Sequence, residues 1–211
     1  MEISEKTKEA LVKLALPSAI SYTDYRNLVS EHAANETTTG PIQTEALSEY
    51  TQLNNARMRR LDKTLRIPET VATQFSSTTK KQQWIVITES WCGDAAQSLP
   101  AIAKVVALAK NIELFIVLRD EHPTLMDAFL TNGSRSIPKL IVYDKEQEKV
   151  VADWGPRPSN ATKMVENFKM KHQVLTPEFK KELQVWYTKD KGQNIFEDLA
   201  SLLSQSWPGK L

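Results

Sequence analysis

Residues 81–100, KQQWIVITESWCGDAAQSLP, constrain the fold more than any other stretch, because they carry the chain from a buried strand straight into a helix that begins at the only cysteine. Trp84, Ile85, Val86 and Ile87 form a short aromatic and β-branched apolar run, the pattern of a strand covered on both faces. Thr88, Glu89 and Ser90 are turn-forming, and over residues 94–110 Ala95, Leu99, Ile102, Val105, Val106 and Ala109 recur at helical spacing. Cys92 therefore stands at a helix N-terminus, where unpaired N–H groups and the positive end of the helix dipole favour a thiolate.

The five residues Trp91-Cys92-Gly93-Asp94-Ala95 resemble the thioredoxin active-site motif Trp-Cys-Gly-Pro-Cys, at the same strand-to-helix junction. Ser136-Ile137-Pro138, followed by a strand over residues 139–144, resembles the thioredoxin signature in which a cis-proline opens the strand facing the cysteine. The resemblance covers about residues 80–170 and implies an α/β thioredoxin-like fold, a mixed central sheet flanked by helices. It also implies a site made of Cys92 as nucleophile, with Trp91, Gly93, Asp94, Ser136, Ile137 and Pro138 lying against the substrate. Two departures bear on the chemistry. Ala95 stands where the family has its second, resolving cysteine, and Val86 stands where a buried acid helps to deprotonate that second thiol. A dithiol cycle is thereby excluded. The implied activity is that of a single-cysteine thiol oxidoreductase without a cofactor, in which a mixed disulfide at Cys92 is resolved by an external thiol. Its partners would be a protein disulfide or a low-molecular-weight thiol of the glutathione kind. The alternative is a redox-inactive binding or adaptor module whose cleft beside Pro138 holds an extended peptide. Asp94 places a carboxylate next to the thiol and opposes its ionisation, so a moderately acidic thiol is expected.

The rest of the sequence excludes several other functions. Lysine and arginine total 27 against 26 acids in 211 residues, which gives no overall attraction to nucleic acid or anionic membranes. One cysteine rules out an internal disulfide framework and a multi-thiolate zinc site, and fits a reducing compartment. No apolar run reaches about 18 residues, and the acidic start lacks a signal peptide's basic and apolar regions, so a cytoplasmic protein is expected. His32, His122 and His172 have no spaced ligand partner, and the glycines form no phosphate-cradling loop, so no metal site is expected.

Residues 1–80 read as a helical extension packed on the core, with helices over 5–16, 23–34 and about 44–65, and a linker-like stretch at 35–41, NETTTGP. The longest helix carries the basic cluster Arg57, Arg59, Arg60, Lys63 and Arg66. The cluster reads either as a solvated basic face offset by Asp62, or as a binding surface in which Arg57 and Arg60, one turn apart, would reach the cleft to bind carboxylates of a small thiol or an acidic substrate. The stretch YTQLNNARMRRLDKTL is also similar to the helix before the core in a bacterial subfamily of thioredoxin-like proteins sharing the Trp-Cys-Gly-Asp start.

Residues 112–118, IELFIVL, form a second doubly buried strand. Helix-connected strands of this kind are parallel, which brings Arg119 to the edge occupied by Cys92. A short helix over 123–130 ends at Asn132-Gly133, and Arg135 precedes the proline loop. A hairpin of 140–143 with 149–154 returns Trp154 and Gly155 to the same edge, so that Trp91, Ile137 and Trp154 would rim the sulfur, the alternative for Trp154 being plain packing within the hairpin. Residues 81–172 thus form the thioredoxin-like domain, closed by a helix over 160–171. Residues 173–211 form a C-terminal extension with helices over 177–189, capped by Thr176, and 195–206. Their apolar positions suit packing on the core, and the interface of a homodimer would look the same in sequence.

Overall fold

The computed structural model describes residues 7–172 and 174–204. Four helices come first: α1 (Lys8–Ala15), α2 (Tyr22–Ala34), α3 (Glu45–Thr64) and α4 (Glu69–Ser76). Strand β1 (Gln82–Thr88), helix α5 (Gly93–Val106), strand β2 (Ile112–Leu118) and the short helix α6 (Pro123–Asp127) follow. The hairpin β3 (Lys139–Asp144) and β4 (Lys149–Trp154) leads into α7 (Ser159–His172), α8 (Pro177–Asp190) and α9 (Gln193–Leu203). The expected helix starting at residue 5 and the one ending at residue 206 each have an end outside the described residues.

The sheet order is β2-β1-β3-β4, with β1 parallel to β2 and antiparallel to β3, and β3 antiparallel to β4. This is the expected mixed sheet flanked by helices. Its centre is β1, whose Trp84, Ile85, Val86 and Ile87 are wholly buried. At the outer edge of β2, Ile20 exchanges two backbone hydrogen bonds of 2.9 Å with Ile116.

Local chemistry sets the helix ends. The Thr44 hydroxyl accepts from the Leu47 N–H at 3.3 Å and the Thr176 hydroxyl from the Phe179 N–H at 3.2 Å, each satisfying an orphan donor of a first turn. Helix α4 has no such signal, since Pro68 stands at its N-cap without a side-chain bond, and nothing in the sequence announced it. It forms because Val71 and Phe75 are buried, Phe75 meeting Trp84 edge-on at 5.7 Å between ring centroids. Helix α5 runs on through Pro100, which lacks the N–H that would bond the Ala96 carbonyl.

One hydrophobic cluster includes side chains from α1, the sheet, α5 and α9, so the terminal helices share the core of the central segment. The stretch 35–41 is no linker. Thr38 and Thr39 are buried; the Thr38 hydroxyl meets Thr51 at 2.9 Å and Ser90 at 3.0 Å, and the Thr39 N–H donates to the Ser90 hydroxyl at 3.0 Å. A threonine-rich stretch reads as solvated until its polar partners prove to be buried as well.

Candidate functional site

Cys92 occupies the N-cap of α5 in extended backbone conformation, its N–H donating to the Glu89 carbonyl at 3.1 Å. Its Sγ donates to the Ile137 carbonyl at 3.3 Å, and the Ile137–Pro138 peptide bond is cis. The strand-helix junction and the proline loop therefore meet at the sulfur. Cys92 is only 7% exposed, and burial pushes its thiol up to about 12, with the Asp94 charge acting in the same direction. The N–H groups of Ala95 and Asp94, and Arg157, pull the other way without prevailing. This corrects the expectation of a moderately acidic thiol. A helix N-terminus is legible in the sequence, but the depth at which it is buried is not, and desolvation outweighs the dipole.

Asp94 turns largely away from solvent. Its carboxylate takes Arg157 Nη2 at 2.7 Å and the Tyr187 hydroxyl at 3.0 Å. Burial pushes this carboxyl above its ordinary range, while Arg157, Tyr187 and Arg57 favour the ionised form. Tyr187 comes from α8, and Gln184 of the same helix accepts from the Gln97 side-chain amide at 2.9 Å, so α8 lies against the first turns of α5. Sequence reasoning missed both partners of Asp94. Arg157 was findable as a cation placed two residues after Gly155, whereas Tyr187 sits in a helix with no signal linking it to residue 94.

Arg57 is half-buried, donates from Nη1 to Asn54 Oδ1 at 3.2 Å, and lies beside Gly93, where an added Cβ would be 3.6 Å from Nη1. Among the described residues it has no ion-pair partner. Arg60, Arg59, Lys63 and Arg66 are exposed, so of the basic cluster only Arg57 touches the site. Arg119 does reach the edge: its guanidinium lies 4.8 Å from the Trp91 ring centroid and its Nε donates to Asp120 at 2.8 Å.

Behind Trp91, Glu89 is a wholly buried carboxylate that accepts from the Asp120 N–H at 3.0 Å and from the Thr39 hydroxyl, and burial raises its pKa. Arg135 turns away to a two-point pair with Asp127 on the surface. Ser136 is half-buried, its N–H donating to the Ser134 carbonyl at 2.8 Å.

Trp154 is not part of a rim around the sulfur. It is 2% exposed, and its indole N–H donates to Asp198 of α9 at 2.9 Å, because the hairpin turns this ring into the core where α9 covers it. Gly155 is structural in a stricter sense. Its φ is +113°, and a Cβ there would lie 2.2 Å from the Pro138 carbonyl oxygen, so no other residue allows the two loops to touch. Next to that contact Lys139 and Asp153 form a buried ion pair at 2.9 Å. Two surface cavities, of about 390 and 440 Å³, open beside Leu28 and Leu118 and beside His32 and Gln43, away from Cys92. Among the described residues no cluster of side chains could hold a metal ion.

A thioredoxin family profile matches residues 40–169, more than half of the chain. The chain belongs to the thioredoxin family. Its thioredoxin fold is similar to that of a protein of unknown function from Pseudomonas aeruginosa, at 18% identity and a TM-score of 0.54, over 72% of this chain and 84% of the other. It is also similar to an HIV epitope-scaffold protein, at 15% identity and a TM-score of 0.55, over 88% of this chain and 98% of the other. Identities this low speak to the fold alone. No curated protein matches the chain. In this member of the family Ala95 and Val86 are both buried.

Proposed function

We propose that this protein is a redox-silent binding module of the thioredoxin fold, in which Cys92 is a neutral hydrogen-bond donor holding the Pro138 loop against α5. One observation carries the reading: the sulfur is buried, donates to the Ile137 carbonyl at 3.3 Å, and has its pKa pushed up to about 12. The bound partner is a polypeptide lying along the loop edge made by Trp91, Gly93 and Ser136, without a cofactor. A lone reduced thiol goes with a cytoplasmic setting, and among the described residues no helix is long and apolar enough to cross a membrane.

Alkylation by iodoacetamide at pH 7, native against urea-unfolded, tests it. Raising a thiol from its ordinary value of 9.0 to about 12 cuts the thiolate fraction by about 10³, and the greater nucleophilicity of the more basic thiolate returns about 20- to 30-fold of it. Native protein should therefore react at least about 30-fold more slowly than unfolded protein. A native rate equal to or above the unfolded one overturns the proposal.

Thiol exchange is the second reading, favoured by the Asp94 and Ala95 N–H groups that act on the sulfur. There the Cys92 thiolate would attack a disulfide, form one S–S bond as another breaks, and release the partner's thiolate; an external thiol would then free Cys92. Fast alkylation together with a stable mixed disulfide to glutathione would establish it instead.

A further inference from the structure

The outer face of α3 carries features that the fold does not use. Tyr50 and Leu53 are 46% and 45% exposed, in a protein that buries most of its large apolar side chains. Arg57 and Arg60 continue the same line, since the spacings of three, four and three residues place all four within about 80° of one helix face. The buried face, with Thr51, Asn54, Asn55, Met58 and Leu61, borders this stripe on one side, Leu61 and Asn54 lying next to Tyr50 around the helix. Arg57 lies within the stripe, half-buried beside Gly93, with a neutral amide as its only hydrogen-bond partner among the described residues. A guanidinium partly withdrawn from water is only partly compensated by a charge it does not touch. Asp94 acts on Arg57 through its charge, but its oxygens are taken by Arg157 and Tyr187, so no carboxylate among the described residues contacts Arg57 directly.

We infer that this stripe, Tyr50-Leu53-Arg57-Arg60, docks an acidic polypeptide segment that carries apolar side chains, one carboxylate meeting Arg57 next to Gly93 and a second meeting Arg60. The inference rests on the reading of the protein as a binding module and names the chemistry of its partner. Charge complementarity selects this occupant. The carboxyl-terminal half of α3 presents Arg57, Arg59, Arg60 and Lys63 against Asp62 alone, and Asp62 is held by Arg26 and Tyr22. The two apolar side chains give such a segment something to bury, and the two cations fix its direction toward the Cys92 loop.

The probe is a fluorescein-labelled synthetic peptide alternating glutamate with leucine and phenylalanine, titrated into the full-length protein at low salt and followed by anisotropy. Its counterpart with lysine in place of glutamate is the control. The acidic peptide should bind and the basic one should not. Arg57→Gln with Arg60→Gln should weaken binding at least about tenfold, and Leu53→Ser should weaken it severalfold. Arg59→Gln removes the same charge from the opposite side of α3 and should change binding less than about twofold. Far-UV circular dichroism of each variant establishes that it is folded. Equal binding of the two peptides, or equal losses from Arg59→Gln and Arg57→Gln, overturns the inference. So does a concentration-dependent dimer, in sedimentation equilibrium, that Leu53→Ser dissolves while the peptide fails to bind. None of these results touches the slow alkylation of Cys92, and fast alkylation removes the binding-module reading whatever the peptides do.

Discussion

At the scale of single residues, burial decides more than sequence position does. Cys92 and Glu89 are three apart, and both have pKa values moved toward the neutral form by burial first. For Glu89 the consequence reaches stability. A carboxyl whose native pKa lies above its unfolded value binds more protons when folded, so its favourable contribution is present below the ordinary value of 4.5 and is lost as pH rises through the raised native value. Glutamine at this position keeps both bonds, its amide oxygen accepting from the Asp120 N–H and its amide nitrogen donating to the Thr39 hydroxyl. Urea unfolding of wild type and Glu89→Gln across pH 4.5 to 8 should therefore show the variant gaining on the wild type as pH rises. Asp94, Asp190 and Asp198 titrate in both proteins, so the difference isolates Glu89. A difference that stays constant with pH would mean that the native pKa of Glu89 does not differ from its unfolded value. The motif residues were legible in the sequence because Trp91, Cys92, Gly93 and Pro138 fix a local backbone. Their solvation was not, because it depends on Thr39, Tyr187 and Arg157, which lie far along the chain.

At the scale of elements, strands and long helices were legible from period and punctuation, as in β2, where six apolar residues around Glu113 coincide with the strand from Ile112 to Leu118. Its place at the sheet edge nevertheless leaves β2 half-buried, and not covered on both faces as the run suggested. Helix α3 was equally open to reading, since Thr44 caps it and it stops short of Pro68. What escaped was which element covers which. Helix α8 reads as an ordinary amphipathic helix, and nothing in its Phe179, Leu183 and Tyr187 periodicity says that Tyr187 meets the residue after Gly93. That contact should be measurable. Tyr187→Phe removes a hydroxyl donor from a buried carboxylate, and a hydrogen bond to a charged group is worth about 1.5–3 kcal/mol. Equilibrium unfolding in urea should show a loss of that size with an unchanged m-value. A loss below about 0.5 kcal/mol would mean that α8 does not hold Asp94 in solution.

At the scale of the whole molecule, the division into a thioredoxin-like segment with helical additions follows the sequence but not the core. Helix α9 lies against α4, α5 and α7, and its Ile195, Phe196, Leu199, Leu202 and Leu203 are all buried. Asp198 on the same helix accepts from the Trp154 indole at 2.9 Å and from the Ser159 N–H at 2.8 Å, tying α9 to the end of β4 and the start of α7. Burying one such aliphatic or aromatic side chain contributes about 1.5–3 kcal/mol, so five contribute about 7–15 kcal/mol as an upper bound. That equals the whole net stability of a typical domain, about 5–15 kcal/mol. Truncation after residue 172 should therefore leave a chain without a cooperative thermal transition, even though the segment carrying both thioredoxin motifs remains intact. A single substitution reads the same dependence without removing the helix. Phe196→Ala empties a wholly buried site between α9 and its neighbours and should cost about 3–5 kcal/mol in urea unfolding. If the truncated chain instead melts cooperatively near the wild-type temperature, the core does not depend on α9, and residues 173–211 are an appendage in structure as well as in sequence.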